Sequence, residues 1–470
     1  MSKNFYITTT LPYVNADPHI GFALEIVQAD IIARFKRLLG HEVFFNFGTD
    51  EHGQKVLKAA EKNGLDPQAY TDQLALKFGD LKKILNLSYD NFVRTTDAHH
   101  IKAAQYIWKL ADESGDIYKK KYRGLYCVSC ERFIKESELR NNKCPEHPGK
   151  ELEEVEEENY FFKFSKYQDK LLKYLNNPRV ITPDWRRKEA INFVKNGLED
   201  FPISRLKNRM SWGIPVPGDE DHVMYVWFDA LTNYISSLGW PGDKNGNFKK
   251  FWQDGETLQF AGKDQVRFQS LMWQAMLMSA GLKNTDKVFY HGFINIRGEK
   301  ISKSVGNTID PFKIVEEFGT DALRYYLLAQ VSPVEDSDFT FELFKEAYNA
   351  NLANGLGNLT SRIIKMAEDN LEEPTEVSGE NMPQELLNHL EKFELNKACN
   401  FIWSKISKLD GEIQEKKPWE SKDKKVIKNL VLDLYRISKM LEPFMPETSE
   451  KIIQAIKENK KPEKPLFERK

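Results

Sequence analysis

The 470-residue chain has little cysteine, almost no net charge and no long apolar stretch. Its 68 lysines and arginines oppose 70 aspartates and glutamates, whereas a protein that coats DNA without sequence preference is clearly basic. No apolar run approaches the roughly 18 residues that a membrane span requires. Four cysteines in a chain of this length do not make a disulfide scaffold. These absences exclude a nonspecific DNA-coating protein, a membrane protein and a small disulfide-rich protein.

The length predicts about three domains, at roughly 150 residues per domain. Apolar side chains make up 41% of the chain and aromatic ones 12%, which is enough to bury more than one core. Residues 1–5 lack the charged segment followed by an apolar segment that is typical of a secretory signal peptide. We therefore expect a soluble, cytoplasmic protein of several domains.

The first fifty residues predict a β-α-β unit. Residues 5–9 and 43–47 are rich in β-branched and aromatic side chains, and each predicts a strand. Between them, apolar residues recur at helical spacing over 20–38, with Asp17 expected as the N-cap and Pro18 in the first turn. Such a unit implies a parallel sheet whose ligand site lies at the carboxyl ends of the strands.

The pattern changes further along the chain. Alternating strand and helix signals return at about residues 212–328, where residues 223–227 and 288–290 predict strands. Beyond residue 341, long amphipathic helices follow with almost no strand signal. We expect one nucleotide-binding type of sheet, split by an insertion and followed by a helical region.

Two pairs of potential metal ligands lie inside this insertion. Cys127 and Cys130 form the first pair, and Cys144 and His147 follow after thirteen intervening residues. Three thiolates and one imidazole supply the four ligands of a closed tetrahedral zinc site. The alternative is a surface loop that exposes three thiols by chance. The sequence thus predicts one structural zinc ion without a catalytic role.

Two loops have the composition of phosphate-binding segments. Residues 18–22 open the first helix, where free amides and the imidazole of His19 suit a triphosphate and Gly21 allows a base to approach the backbone. Residues 297–307 place Lys300 and Lys303 with two serines between glycines, which suits a leaving pyrophosphate. Taken singly, the alternatives are a helix-capping histidine and a flexible basic surface loop.

Six further segments carry a family resemblance. They are TTLPYVN at 9–15, GTDEHG at 48–53, YCVSCER at 126–132, WGIP at 212–215, YVWFDA at 225–230 and GKD at 262–264. With the two loops, the chain resembles the class I aminoacyl-tRNA synthetases, which place a HIGH-type and a KMSKS-type loop in one split Rossmann fold. Within that class it is similar to the methionyl-tRNA synthetases, from about residue 5 to about residue 456.

The resemblance implies an α/β fold: a split Rossmann-type parallel sheet with a zinc-knuckle insertion, followed by an all-α helical bundle. The segments are the first half of the catalytic domain at 1–115, the insertion at 116–210, the second half with the KISKS loop at 211–340, an anticodon-binding bundle at 341–457 and a charged tail at 458–470. The implied partners are ATP with Mg²⁺, L-methionine and tRNA(Met), without DNA or membrane, and we expect a monomer.

The resemblance also implies the site residues. ATP binding and catalysis are expected of His19, Gly21, Gly262, Asp264, Lys300 and Lys303. Amino-acid binding is expected of Leu11, Tyr13, Asp50, Trp227, Ala230, Tyr234, Gln265 and Gln269. Anticodon binding is expected of Asn358, Arg362 and Trp419. A carboxylate such as Asp50 suits an ammonium group, aromatic rings suit a thioether, and unpaired RNA bases are usually read by stacking and hydrogen bonds.

The sequence departs from the family pattern in three ways. Phe22 stands where the first signature has a second histidine that assists with ATP. Gln265 and Gln269 stand near the amino-acid pocket, where many relatives have an isoleucine and a histidine. The second loop reads Lys-Ile-Ser-Lys-Ser and keeps both lysines.

Two alternative functions remain open from the sequence. A class I synthetase for leucine, isoleucine or valine is similar, but such enzymes usually carry a much longer editing insertion than residues 116–210. A noncatalytic tRNA-binding relative is the other alternative, because Phe22 replaces an ATP-contacting histidine, although His19, Asp50 and Lys303 favour activity.

Overall fold

A computed structural model of the chain describes residues 3–130, 132–134, 136–145, 147–296, 298–301, 308–379 and 381–470, without the side chains of Arg132, Ser137 and Lys300. The chain forms two compact units. The first comprises Met1–Pro18, Gly40–Asp80 and Tyr89–Tyr290, and the second comprises His19–Leu39, Leu81–Ser88 and His291–Lys470. Within the described ranges, no helix is both long and apolar enough to cross a membrane.

Strands and helices alternate up to residue 340, and helices follow. Residues 1–115 form β1 (Asn4–Thr9), α1 (Ile20–Leu38), β2 (Glu42–Thr49), α2 (Gln54–Lys62), α3 (Pro67–Ile84), β3 (Asn91–Arg94) and α4 (Ala98–Glu113). Residues 116–210 form β4 (Ile117–Cys127), β5 (Arg132–Ile134), β6 (Glu153–Phe162), α5 (Gln168–Leu175), β7 (Ile181–Thr182), α6 (Asp184–Lys195), β8 (Phe201–Pro202) and β9 (Ser204–Leu206).

The rest of the chain continues in the same order. Residues 211–340 form β10 (Pro215–Val216), β11 (Asp219–Met224), α7 (Val226–Ala230), α8 (Asn233–Ser236), β12 (Glu256–Gly262), α9 (Trp273–Ser279), β13 (Lys287–His291), β14 (Ile294–Ile296), β15 (Glu299–Lys300), α10 (Pro311–Phe318), α11 (Thr320–Ala329) and β16 (Ser337–Asp338). The last region forms α12 (Phe341–Ala347), α13 (Asn358–Asn370), α14 (Gln384–Glu391), α15 (Leu395–Lys416), α16 (Pro418–Ser421), α17 (Lys424–Leu441) and α18 (Pro446–Glu458).

The first unit contains the predicted parallel sheet. Its six strands lie in the order β3-β2-β1-β12-β13-β7. β1 is parallel to both β2 and β12, β2 is parallel to β3, and β13 is parallel to β7. Because the neighbours β1 and β12 are about 250 residues apart in the chain, the sheet is split as expected, and the prediction of an α/β fold followed by a helical region is confirmed. The edge strand β7 comes from the insertion itself.

Two local predictions were wrong. Asp17 is not the N-cap of α1 and Pro18 is not in its first turn, because the His19 side chain accepts a hydrogen bond from the amide of Gly21 and is itself the N-cap. Asp17 instead forms an ion pair with Lys77, at 2.6 Å. The strand expected at 223–227 ends at Met224, because the amides of Phe228 and Asp229 bond back to the Tyr225 carbonyl and start α7.

The second unit is held together at a buried cation. Arg324, on α11, donates to the carbonyls of Leu85, Pro443 and Phe444 at 2.8–3.0 Å. Its guanidinium lies 2.9 Å from the carboxylate of Asp30, on α1, and both side chains are fully buried. Although burial alone raises the pKa of Asp30, the neighbouring arginines hold it below its usual value. The ion pair therefore fixes α1 to α11, and Arg324 fixes both to the segment that precedes α18.

The charged tail lies against the helical region. The hydroxyl of Tyr348 donates to the carbonyl of Glu468, at 2.8 Å, and the side chain of Asn349 bonds both backbone groups of Lys470. The ring of Phe467 meets that of Tyr348 edge to face. The end of the chain is thus attached along the π-helical segment Tyr348–Gly357.

We predict that Asp30→Asn destabilises the second unit strongly. The change leaves the buried charge of Arg324 without its carboxylate, and breaking one side of a buried pair costs about 3 kcal/mol. The urea midpoint should fall, and hydrogen exchange should accelerate in α1 and α11. The matched control is Lys365→Ala, which removes the exposed ion pair with Asp369 and should leave both measurements unchanged. Equal effects of the two variants would contradict this assignment.

Candidate active site and metal centre

The loops that follow β1 and β2 run side by side at the carboxyl ends of the strands. Tyr13 and Asp50 form an isolated parallel bridge. The amide of Asp50 donates to the carbonyl of Pro12 at 2.9 Å, and the amide of Val14 donates to the carbonyl of Asp50 at 3.1 Å. The structure thus brings together two residues expected to bind the amino acid, one supplying an aromatic ring and the other a buried carboxylate.

Glu51, beside Asp50, is held by a buried network of hydrogen bonds. Arg94 donates from Nε and Nη2 to the two carboxylate oxygens of Glu51, at 2.7 and 2.8 Å. The hydroxyls of Thr49 and Thr96 also donate to Glu51. Such charge-assisted, two-pronged pairs fix geometry as well as contributing energy. The residue next to Asp50 is therefore anchored by Arg94 and two threonine hydroxyls.

His52, on the other side, takes part in a buried triad with Asp229 and His100. Asp229 lies 2.7 Å from Nδ1 of His52 and 2.7 Å from Nε2 of His100, and the other nitrogen of His100 lies 2.9 Å from the hydroxyl of Ser236. Although burial alone raises the pKa of Asp229, the two histidines hold it below its usual value. An ionised Asp229 therefore joins α7 to the segment that carries Asp50.

Two stacked aromatic rings, one of them on α7, form an aromatic wall. The rings of Trp227 and Phe268 are stacked, with centroids 3.7 Å apart and an interplanar angle of 13°. Tyr13 and Trp227 both pack against one small apolar cluster that contains Tyr126 and Val226. Three of the expected pocket residues, Leu11, Ala230 and Tyr234, are buried in the same unit.

The segment after β12 supplies the remaining expected residues of this unit. Gln269 is fully buried and donates from Nε2 to the hydroxyls of Tyr234 and Thr10, the latter at 3.3 Å. Gln265 is half-buried, whereas Asp264 is exposed in a short turn that follows the buried Gly262. Gln269 therefore links the helix after β12 to the loop after β1.

His19 lies in the second compact unit, at the start of α1. Its Nδ1 accepts from the amide of Gly21 at 3.1 Å, and its ring stacks on Phe22. The amide of Ile20 donates to the carbonyl of Ile309, at 3.0 Å, just beyond the KISKS loop. Of the two lysines expected in that loop, Lys303 lies outside the described residues, and Lys300 is described only as backbone in β15.

A second contact joins α1 to the strand that leads into this loop. His291, at the end of β13, lies 2.8 Å from the carboxylate of Glu25 on α1. Its other ring nitrogen lies 2.7 Å from the carbonyl of Gly292. Helix α1 therefore contacts the chain both before the KISKS loop, at His291, and after it, at Ile309.

The four predicted metal ligands form one cluster in the insertion. The ligand atoms of Cys127, Cys130, Cys144 and His147 all lie within 4.8 Å of one another. Hydrogen bonding, chiefly from Cys130, lowers the pKa of Cys127 below that of a free thiol, which favours the thiolate form that binds a metal ion. Cys127 and Cys144 are buried against apolar side chains. The cluster fits a structural metal ion with four nitrogen and sulfur ligands and no open position.

The expected anticodon residues lie in the helical region. The guanidinium of Arg362, on α13, is 5.8 Å from the centroid of Trp419 and forms a 2.7 Å ion pair with Asp410. Trp419 is 41% exposed and lies on the short helix α16, between two residues with left-handed backbone conformation. Asn358 is exposed on the first turn of α13, one turn before Arg362. An exposed ring beside a guanidinium offers a stacking surface.

The buried network around Asp50 was not predicted from the sequence. His52 and Asp229 lie inside the GTDEHG and YVWFDA segments, but Asp229 and its partners are separated by 177 and 129 residues. The only available signal was the presence of ionisable residues in segments that otherwise form buried strand ends. Arg94 and His100 had no such signal.

We predict that Cys144→Ser abolishes tight metal binding, because it removes one of four ligands. Elemental analysis by mass spectrometry should find one zinc ion per native chain and a large loss in the variant. The matched control is Cys399→Ser, which changes a buried thiol in α15 that is not part of the cluster. Equal metal content in all three proteins would contradict a site built on these ligands.

The comparisons with known proteins all indicate the same family. A family model described as tRNA synthetases class I (M) matches residues 5–364. The methionine–tRNA ligases of Fusobacterium nucleatum and Clostridium acetobutylicum are 42% and 43% identical to the chain, over 96% of it and 74% and 73% of their own lengths. A structure of Mycobacterium tuberculosis methionyl-tRNA synthetase in complex with methionyl-adenylate matches with a TM-score of 0.90 and 37% identity, over 96% of this chain and 93% of that one. The chain therefore belongs to the methionyl family of class I tRNA synthetases.

Proposed function

We propose that the protein is a methionine–tRNA ligase, which activates methionine with ATP and transfers the methionyl group to tRNA(Met). The observation that carries the proposal is the pairing of Tyr13 with the buried carboxylate of Asp50, in the same unit as the Trp227–Phe268 stack. A carboxylate for an ammonium group and aromatic rings for a thioether are the complement of methionine. The relative of known structure holds methionyl-adenylate.

Amino-acid binding is assigned to one set of side chains in the first unit. Asp50 receives the ammonium group. The methionine side chain is bordered by Leu11, Tyr13, Trp227, Ala230, Tyr234, Gln265 and Gln269. The buried networks on both sides of Asp50 keep its carboxylate in place before substrate arrives, so less free energy is spent on ordering it.

ATP binding is assigned to His19, Gly21, Gly262 and Asp264, with Lys300 and Lys303 acting on the phosphates. Asp264 accepts from the ribose hydroxyls, and Mg²⁺ accompanies the triphosphate. A methionine carboxylate oxygen attacks the α-phosphorus, the bond to the bridging oxygen breaks, and pyrophosphate leaves. The charge that develops on pyrophosphate is met by lysine ammonium groups. No covalent enzyme intermediate is formed.

The transfer step uses the terminal adenosine of tRNA. Its ribose hydroxyl attacks the methionyl carbonyl, and AMP leaves. Anticodon bases are assigned to Asn358, Arg362 and Trp419.

We also propose that residues 1–115 and 211–340 form the catalytic domain, 116–210 a connective insertion with structural zinc, 341–457 the anticodon-binding domain and 458–470 a tail, in a cytoplasmic monomer.

Amino-acid-dependent exchange between ATP and pyrophosphate tests the proposal. Run with methionine, leucine, isoleucine, valine and cysteine in parallel, it should give exchange with methionine alone. Asp50→Asn should raise KM for methionine at least tenfold, because a charge-assisted contact becomes a neutral one. Exchange with a different amino acid would keep the family and overturn the substrate. Absence of exchange with all five, from folded zinc-loaded protein, would favour a noncatalytic tRNA-binding relative.

We predict that Trp419→Ala raises KM for tRNA about tenfold or more and leaves methionine-dependent pyrophosphate exchange unchanged. Stacking of a base on an aromatic ring contributes about 1–3 kcal/mol. The matched control is Trp185→Ala, since Trp185 is a comparably exposed tryptophan on α6 of the insertion. Equal losses in the two variants would contradict the assignment of Trp419.

A further inference from the structure

Phe22 departs from the family pattern, and its surroundings assign it a role. Its ring lies on the imidazole of His19, with centroids 4.2 Å apart and an interplanar angle of 25°. Both rings are half-buried, and both belong to the second compact unit. Phe22 also donates its amide to the carbonyl of His19, at 3.0 Å. The backbone and the ring of Phe22 thus both meet His19.

The tautomer of His19 follows from its contact with Gly21. A backbone amide always donates, so the Nδ1 atom that accepts from Gly21 at 3.1 Å carries a lone pair rather than a proton. The ring proton of the neutral imidazole is then on Nε2. His19 therefore keeps one N–H donor, on the side of the ring opposite the helix cap.

The contact with Gly21 also limits how the ring can lie. A Cβ added at Gly21 would be 3.0 Å from Cε1 and 3.1 Å from Nδ1 of His19, closer than nine in ten real contacts of this kind. Because position 21 has no side chain, the ring folds back over the first turn of α1. Phe22 covers the ring from its flat face, and Gly21 meets the edge that carries Nδ1.

We infer that Phe22 is a positioning residue, which holds the imidazole of His19 by stacking so that its Nε2–H donor points in one fixed direction toward the phosphates of ATP. The inference rests on the proposed function, in which His19 contacts ATP. A second histidine would supply another polar group, whereas Phe22 supplies only a flat apolar surface. The one N–H donor of the imidazole is then oriented before ATP binds, and its effect on the reaction depends on that orientation.

Substitutions at position 22 separate ring stacking from apolar volume. Phe22→Leu keeps a large apolar side chain but removes the flat ring, and it should lower kcat for pyrophosphate exchange about tenfold, with KM for methionine unchanged. Phe22→Tyr keeps the flat ring and should stay within about twofold of the native protein. A Phe22→Leu protein that exchanges like the native one, or a Phe22→Tyr protein that loses as much as Phe22→Leu, would overturn the inference.

A double-mutant cycle tests whether Phe22 acts through His19. His19→Asn keeps an acceptor for the Gly21 amide and removes the Nε2–H donor, and single-turnover measurement keeps slow variants within range. In the His19→Asn protein, adding Phe22→Leu should change the rate less than about twofold. A persistent tenfold loss would show that Phe22 acts independently and would overturn the inference.

The ring itself gives a readout that does not depend on catalysis. With ¹⁵N-labelled histidine, the His19 signal, assigned by its loss in His19→Asn, should report the Nε2–H tautomer in the native protein and a mixture in Phe22→Leu. A mixture already present in the native protein would overturn the inference. A His19→Asn protein that exchanges at the native rate would refute the proposed role of His19, whereas a native-like Phe22→Leu beside a slow His19→Asn refutes only the role of Phe22.

Discussion

The carboxylate of Asp229 is fully buried, and the region around Asp50 depends on how that charge is satisfied. Burying an ionised carboxylate is costly unless it is paired and hydrogen-bonded. Here the pairing comes from two imidazoles, one two residues after Asp50 and the other on α4. Because α7 has only five residues, its own hydrogen bonds cannot hold it in place. The position of Trp227, and with it the aromatic wall, is therefore set by an electrostatic contact rather than by helix propensity.

The parts of the fold that the sequence predicted are those determined by local patterns. Strands β1 and β2 and helix α1 have apolar periodicities that extend over whole elements, and the chain order of such elements implies a parallel sheet. The metal cluster was predictable because two short knuckles fix ligand pairs within a few residues of each other. In both cases the signal lies within one continuous stretch of chain, residues 4–49 for the β-α-β unit and residues 127–147 for the metal ligands.

The parts that could not be predicted depend on which distant segments meet. Nothing in the sequence indicates that Asp229 contacts two histidines, or that Arg94 pairs with Glu51. These contacts form only when distant parts of the chain have folded together. The predicted N-cap of α1 was wrong for a different reason. Aspartate is a common N-cap residue. Here, however, Nδ1 of His19, two positions after Asp17, accepts from the amide of Gly21 and caps the helix instead. For the KISKS loop, Lys303 lies outside the described residues, and its role stays a prediction.

The edge strand β7 makes residues 116–210 part of the parallel sheet. Val288 and Phe289 of β13 pair with Ile181 and Thr182, and the amide of Val288 donates to the carbonyl of Val180. A shortened protein without residues 116–210 would therefore leave β13 as a bare sheet edge, with unpaired amides and carbonyls open to pairing with other chains. Attempts to build a minimal catalytic core by deletion would have to retain this strand or replace it, whether or not the metal cluster is kept.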